Sequence, residues 1–314
     1  MNNCFEHLAI MITENCNLNC YHCFRYTGHN VNIDLGFLEK LAKKIEHSSI
    51  DSIHFTGGEP FLASNILEIM KIFSKYGKKI SIATNGTLLN TEKIKLFKEN
   101  GLNKIIISMH SENSEFYDKL TGSKGLFYKV IQNIKKCLDI GLLTHINLPI
   151  SIHNVNSAIQ TLYFLDGLGV DRIKILYISP IGKGIDIQPI LFNEWDNLAK
   201  TIENTKFNKS EIKIQYSDSS SQNETKCTIY PFKYLNLSPN GSVYPCCLLN
   251  NRVGMEIGHI SELLNGDFMQ KINLFNDRIL EKFSMYKNTI PCLDLHTQKN
   301  ELYKGCPLYS KKVS

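Results

Sequence analysis

The sequence predicts an α/β fold: a partial (β/α)6 TIM barrel over residues 1–185, followed by a small α+β domain over residues 186–314. Three observations carry this. Short β-branched or apolar runs alternate with periodic helical segments from His7 to Ile178, an alternation that requires a parallel sheet with helical crossovers. The six strand-helix units are too few to close an eight-stranded barrel. After Ile178 the texture changes to a linker rich in Pro and Gly, an isolated helix and short strands with a hairpin signal.

The expected strands are His7–Thr13, Ser52–Thr56, Lys79–Thr84, Lys104–Met109, Thr144–Ile150 and Arg172–Ile178, short runs bounded by turn residues. Helices are expected between them at about Asp34–Glu46, Ser64–Tyr76, Thr91–Asn100, Gly125–Ile140 and Asn154–Leu168, several closed by Gly or Asn as a C-cap requires. Ser179–Pro189 reads as a linker, and a helix around Leu191–Thr205 contains the only tryptophan, Trp195. In the small domain, Glu211–Tyr216 and Lys233–Leu237 read as strands, and Asn240-Gly241 marks a tight hairpin turn.

Composition narrows the class. Of 314 residues, 43% are hydrophobic and 21% charged, the profile of a globular chain rather than a disordered or fibrous one. The net charge of +5 is spread through Lys-rich helices, so neither nucleic acid nor an anionic membrane is an expected partner. No apolar run reaches the roughly 18 to 20 residues that span a bilayer, and MNNCFEHLAIMITENC lacks the basic start and cleavage site of a signal peptide. A cytoplasmic chain is expected. That compartment keeps thiols reduced, so the ten cysteines point to metal or redox chemistry before disulfides.

Their positions then matter. Cys16, Cys20 and Cys23 follow the first strand in a C-x3-C-x2-C arrangement. A loop this short can place three thiolates around one iron-sulfur cube and leave its fourth iron open to an exogenous ligand. An open coordination position separates a catalytic metal centre from a structural one. The structural alternative is a zinc site completed by His22 or His29. The second strand ends in Thr56-Gly57-Gly58-Glu59-Pro60, and paired glycines at a strand's C-terminal end permit close backbone approach where barrel enzymes place their sites.

Taken together, these motifs resemble the radical S-adenosylmethionine (SAM) enzymes. The resemblance implies a 4Fe-4S cluster on Cys16, Cys20 and Cys23, with Thr56, Gly57, Gly58 and Glu59 forming the motif for the methionyl amino group of SAM. Thr84-Asn85-Gly86 is similar to the family's Thr-Asn-Gly, and Ser108 and Asn147 occupy strand positions where polar residues approach the nucleoside. His22 stands where the family usually has an aromatic residue beside the adenine. An imidazole can also stack there.

A second group lies in the small domain. Cys227, then thirteen residues, Gly241, then four residues and Cys246-Cys247, with Cys292 and Cys306 beyond, resembles the opening of the SPASM extension and its shorter twitch relative. The full SPASM pattern has a denser downstream cysteine run. One auxiliary 4Fe-4S cluster is therefore expected, held by Cys227, Cys246, Cys306 and one of Cys292 or Cys247. Cys247 and Cys137 otherwise read as buried small hydrophobes, and Cys4 as incidental.

The resemblance implies reductive cleavage of SAM to methionine and a 5′-deoxyadenosyl radical that takes a hydrogen atom from the substrate. The expected substrate is a ribosomally made peptide undergoing crosslinking, epimerisation or dehydrogenation. A cyclase acting on GTP in molybdenum-cofactor synthesis is the alternative; against it stand a C-terminus of Lys-Lys-Val-Ser without a terminal Gly-Gly and auxiliary cysteines without a C-x2-C pair. A non-catalytic iron-sulfur or zinc scaffold or sensor is a further alternative, which would have no need of the glycine motif. A flavodoxin- or ferredoxin-type electron donor is an expected partner. Few residues precede the first strand, too few for a fused leader-binding domain, so a separate leader-binding protein or a direct site is expected. No Ser-His-Asp set, phosphate loop or carboxylate pair compels another chemistry.

Overall fold

The computed structural model describes residues 5–24, 33–178, 182–188, 190–214, 234–250 and 255–283. In chain order the elements are β1 (His7–Met11), α1 (Leu35–Ile45), β2 (Ser52–Thr56), α2 (Ile66–Ser74), β3 (Lys79–Thr84), α3 (Thr91–Glu99), β4 (Leu102–Ser108), α4 (Ser114–Thr121), α5 (Phe127–Asp139), β5 (Leu143–Ile150), α6 (Ala158–Leu168), β6 (Arg172–Tyr177), α7 (Phe192–Glu203), β7 (Glu211–Ile214), β8 (Tyr234–Leu237), β9 (Ser242–Tyr244), β10 (Gly258–His259), α8 (Ile260–Leu264) and α9 (Phe268–Phe283).

One sheet of ten strands runs in the order β10-β9-β8-β1-β2-β3-β4-β5-β6-β7. The six expected strands are parallel neighbours in sequence order, as a right-handed winding of strand-helix units demands. Helices begin where side chains can cap them: Asp34 Oδ1 accepts from Phe37 N at 2.8 Å and Asn90 Oδ1 from Lys93 N at 2.8 Å. The short helix α4 was not among the expected elements. Its signals are an Asn113 N-cap and Gly122 in the left-handed C-cap conformation, and its eight residues offer little periodicity to read.

The sheet also continues past the six strands on both sides. β7 pairs in parallel with β6, and β8 pairs in parallel with β1, whereas sequence patterning placed both strands in the small domain. The cause at β7 is a buried carboxylate. Asp166, at the end of α6, accepts hydrogen bonds from the backbone amides of Asn208, Lys209 and Ser210 at 2.8 to 3.0 Å, which brings the chain back beside β6. Beyond β8 the Asn240-Gly241 hairpin forms as expected: β8 and β9 are antiparallel, Gly241 has φ +88, and Asn240 Oδ1 accepts from Ser242 N at 3.0 Å.

Alternation along the strands sorts the residues by face. Leu8, Ile10, Ile53, Phe55, Ile82, Ile107, Ile146, Leu148, Ile173 and Ile175 are at most 1% exposed and form the core with the helices. Their neighbours His54, Ser81, Ser108, His145 and Asn147 are only half-buried. The opposite face of the sheet is therefore polar and partly open, and the ligand-binding residues expected on strands project from it. Cys137 is fully buried on α5, in keeping with its reading as a small hydrophobe.

Burial pushes the Asp166 carboxyl up, but the three amides outweigh it and hold its pKa below the usual carboxylate range. The anion therefore contributes stability above the ordinary carboxylate pKa, and this contribution is lost as pH falls through the lower folded value. Asp166→Ala is expected to lower unfolding free energy by about 2 kcal/mol at neutral pH, measured by urea denaturation, with the gap to wild type narrowing in acid. A pH-independent gap would contradict the role given to the anion.

Candidate functional site

After β1 the chain runs as a loop across the C-terminal ends of the parallel strands, and each successive strand end contributes a tie to it. From the β2 end, Gly58 N donates to Thr13 O at 2.8 Å and Glu59 N to Asn15 O at 2.7 Å. Beyond β3, Asn85 Nδ2 donates to Asn17 Oδ1 at 2.9 Å, and Thr87 Oγ1 accepts from Asn17 Nδ2 at 2.9 Å. Carbonyls at the C-terminus of α4, which have no partner within the helix, accept from the loop: Thr121 O from Asn19 N at 3.1 Å and Leu120 O from Tyr21 N at 3.3 Å. After β5, Ser151 Oγ meets Tyr21 Oη at 2.5 Å. After β6, Lys183 N donates to Cys23 O at 2.9 Å.

The glycine pair has a local reason. A Cβ on Gly57 would lie 2.5 Å from Thr13 O, and one on Gly58 would strike the Asn15 carbonyl, so the close approach the glycines permit is between two stretches of this chain's own backbone. Glu59 is fully buried. Its carboxylate accepts from Thr84 Oγ1 at 2.7 Å, Asn85 N at 2.7 Å and Phe61 N at 3.1 Å. Burial raises its pKa and these hydrogen bonds oppose the rise. Glu59 thus joins the ends of β2 and β3 and sets the Thr84-Asn85-Gly86 turn. From the helix side the buried Asn133 donates to Gly86 O at 2.9 Å, a contact sequence reasoning did not find because nothing local distinguishes one Asn on α5.

All three cysteines are half-buried and free. Burial, then the charges of Cys23 and Cys16, push the Cys20 thiol up to about 12. Cys16 is also raised, by burial first, while a hydrogen bond from the Asn85 side chain favours its thiolate. Among the described residues no three His, Cys, Asp or Glu side chains converge closely enough to hold a single metal ion. Three thiolates that leave one coordination position open suit an iron-sulfur cube better than a closed structural zinc site. The His22 ring lies 4.8 Å from that of His110 and 5.1 Å from Tyr21, and burial pushes its imidazole down to about 4. His29 lies outside the described residues.

Ser108 and Asn147 face each other across β4 and β5, and the same row of the sheet continues through Lys174 and Lys213. Thr56 ends β2 on the half-buried face. Of the second cysteine group, Cys246 and Cys247 are described: Cys246 is half-buried just after β9, and Cys247 is exposed. The burial expected of Cys247 as a small hydrophobe is thus not observed: it opens a short turn, Cys247–Leu249, in which Leu249 is the residue turned inward. The hairpin glycine is required where it is: a Cβ on Gly241 would strike the His259 imidazole, whose Nε2 lies 3.0 Å from Asn240 O. Cys227, Cys292 and Cys306 lie outside the described residues.

With the site laid out, comparison with known proteins is direct. The sequence profile of the radical SAM superfamily matches residues 10–164, and that of SPASM, an iron-sulfur cluster-binding domain, matches residues 227–294. The chain belongs to the radical SAM superfamily. Within it, the chain carries a SPASM-type C-terminal extension, and SAM and 4Fe-4S clusters are the cofactors that go with these two profiles. A probable GTP 3′,8-cyclase of Saccharolobus islandicus is 31% identical over 202 residues, covering 63% of this chain and 64% of that protein; the Saccharolobus solfataricus counterpart is 32% identical over 205 residues. The chain thus matches about 64% of the length of these curated relatives. Among solved structures, Streptococcus suis SuiB bound to precursor peptide SuiA aligns with a TM-score of 0.71 at 15% identity, covering 87% of this chain and 66% of SuiB. anSMEcpe with bound AdoMet and Kp18Cys peptide aligns with a TM-score of 0.68 at 18% identity, covering 87% and 82%. Both share the fold.

Glu59→Ala removes the acceptor of three buried donors, each worth about 1 to 3 kcal/mol when stranded. The variant is expected to melt several degrees lower and to retain SAM at least about tenfold more weakly in equilibrium dialysis. Wild-type melting and SAM retention together would contradict the strut role of Glu59.

Proposed function

We propose that this chain is a radical SAM enzyme that reductively cleaves SAM and abstracts a hydrogen atom from a ribosomally made peptide. The observation that carries this reading is the loop of Cys16, Cys20 and Cys23, pinned across the strand ends by backbone and side-chain hydrogen bonds. A 4Fe-4S cluster held there would supply one electron for the reductive cleavage of bound SAM. The protein's own task is to hold, orient and keep water out. Cys16, Cys20 and Cys23 are the proposed ligands. Thr56, Gly57, Gly58 and Glu59 shape the floor beneath the methionyl group, and His22, Asn85, Ser108 and Asn147 line the nucleoside side. Cys227, Cys246 and Cys306, with Cys292 or Cys247, would hold one auxiliary cluster in a domain beginning near residue 186.

The peptide reading is supported by the fold shared with SuiB and anSMEcpe, each solved with a peptide bound. A second reading, cyclisation of GTP, is favoured by the identity to the archaeal cyclases. Under either reading a flavodoxin- or ferredoxin-type protein would deliver the electron. A separate leader-binding protein or a direct site would present the peptide. No described helix is long and apolar enough to cross a membrane, and a cytoplasmic location suits the reduced thiols.

Anaerobically reconstituted protein is expected to form 5′-deoxyadenosine, accelerated by a candidate ribosomal precursor peptide and not by GTP; acceleration by GTP alone would instead establish the cyclase reading. Cys20→Ala should abolish 5′-deoxyadenosine formation, and retained cleavage would overturn the ligand assignment. Cys246→Ala should remove about one cube's worth of iron while leaving some SAM cleavage. An unchanged iron content would exclude Cys246 as a ligand.

A further inference from the structure

Asn85 is clamped by the chain itself more fully than a residue kept free for a ligand would be. Its backbone N donates to Glu59 Oε2 at 2.7 Å. Its side-chain Oδ1 accepts from Thr87 N at 2.9 Å and from Thr87 Oγ1 at 2.6 Å, and its Nδ2 donates to Asn17 Oδ1 at 2.9 Å. Asn17 closes a ring of three side chains, its Nδ2 donating to Thr87 Oγ1 at 2.9 Å. Thr87 is 1% exposed, so water does not compete for its hydroxyl.

The ring fixes which end of each amide is which. A backbone N–H can only donate, so the Asn85 atom that meets Thr87 N is the oxygen, and the Nδ2 end is turned to Asn17. Facing that donor, Asn17 presents its own oxygen, which leaves its Nδ2 for the Thr87 hydroxyl; the one hydroxyl proton goes to Asn85 Oδ1. An amide oxygen has two lone pairs and an amide nitrogen two protons. Thr87 takes both lone pairs of Asn85, and Asn17 takes one proton. The second proton goes to Cys16, the residue before Asn17, whose sulfur also accepts from the Leu18 backbone. Asn85 can border the nucleoside by contact, but it has nothing left with which to hydrogen-bond it.

We propose that the ring of Asn17, Asn85 and Thr87 makes Asn85 a positioning residue of the cluster on Cys16, Cys20 and Cys23: its Nδ2 donates to the Cys16 sulfur and so raises the cluster's reduction potential, and it is not a hydrogen-bonding ligand of the nucleoside. The proposal rests on the radical SAM reading and deepens it. A hydrogen bond to a ligand sulfur favours the more negative, reduced state of a cluster, one of the protein's main means of setting the potential. The ring matters because a free amide would rotate and donate to water, whereas this one is oriented by partners behind it before any cluster is bound.

The test is a redox titration of reconstituted wild type, Asn85→Ala and Thr87→Val, read on the electron spin resonance signal that shifts when SAM is added, with SAM retention measured in parallel by equilibrium dialysis. Asn85→Ala keeps the backbone bond to Glu59. It is expected to bind the same iron, to retain SAM within about twofold of wild type, and to have a reduced-to-oxidised ratio about tenfold lower at a fixed applied potential, equivalent to about 59 mV for one electron. Thr87→Val keeps the donor but unseats the amide, and should move the potential in the same direction by a smaller amount. Full iron with an unchanged potential in Asn85→Ala would overturn the proposal and leave the ligand assignment standing. An unchanged potential with SAM held at least about tenfold more weakly would overturn it in favour of a nucleoside ligand. Should Asn85→Ala fail to fold, Thr87→Val decides, and a wild-type potential there overturns the proposal. Wild type that assembles no cluster on Cys16, Cys20 and Cys23 would overturn the functional reading and this proposal with it.

Discussion

Everything at the site depends on the backbone of residues 13–23 being tied down by hydrogen bonds from successive strand ends. Three thiols on a free loop would each explore separate conformations, and assembling them would cost conformational entropy at every residue between them. Here that ordering is built into the fold. Gly58 and Glu59 hold the start of the loop, Asn85 and Thr87 its next residues, the carbonyls of α4 its middle, and Ser151 and Lys183 its end. Strands β1 to β6 bring these groups to one edge because all six point the same way.

The buried carboxylates extend this logic to the supports. Glu59 is spent on internal donors, so its influence on a ligand passes through the position of Asn85 and the turn that carries it. Asn133 and Asn154 do the same from the helix layer, each side chain bonding a backbone carbonyl of a loop beside the site. Asp166 uses the same device far from the cysteines, gathering three amides to seat β7. In each case a polar group is tolerated inside because its hydrogen bonds are satisfied.

The sequence by itself determined the alternation of six strands and their helices, the C-x3-C-x2-C loop, the glycine motif and the Asn-Gly hairpin. These are local signals: a periodicity of two or of 3.6 residues, a spacing, a turn dipeptide. It also marked Cys137 as buried, since an isolated thiol on an apolar helix face has few other uses. What it left undecided was non-local. The docking of β7 against β6 and β8 against β1 depends on long-range pairing, and the ties from Thr87, Ser151, Lys183 and α4 to the cysteine loop join residues up to 160 or so positions apart. Only the tertiary structure could reveal that the glycine pair accommodates the chain's own backbone. A hydrogen bond's partner is chosen by where the fold brings it, and no window of sequence contains both ends.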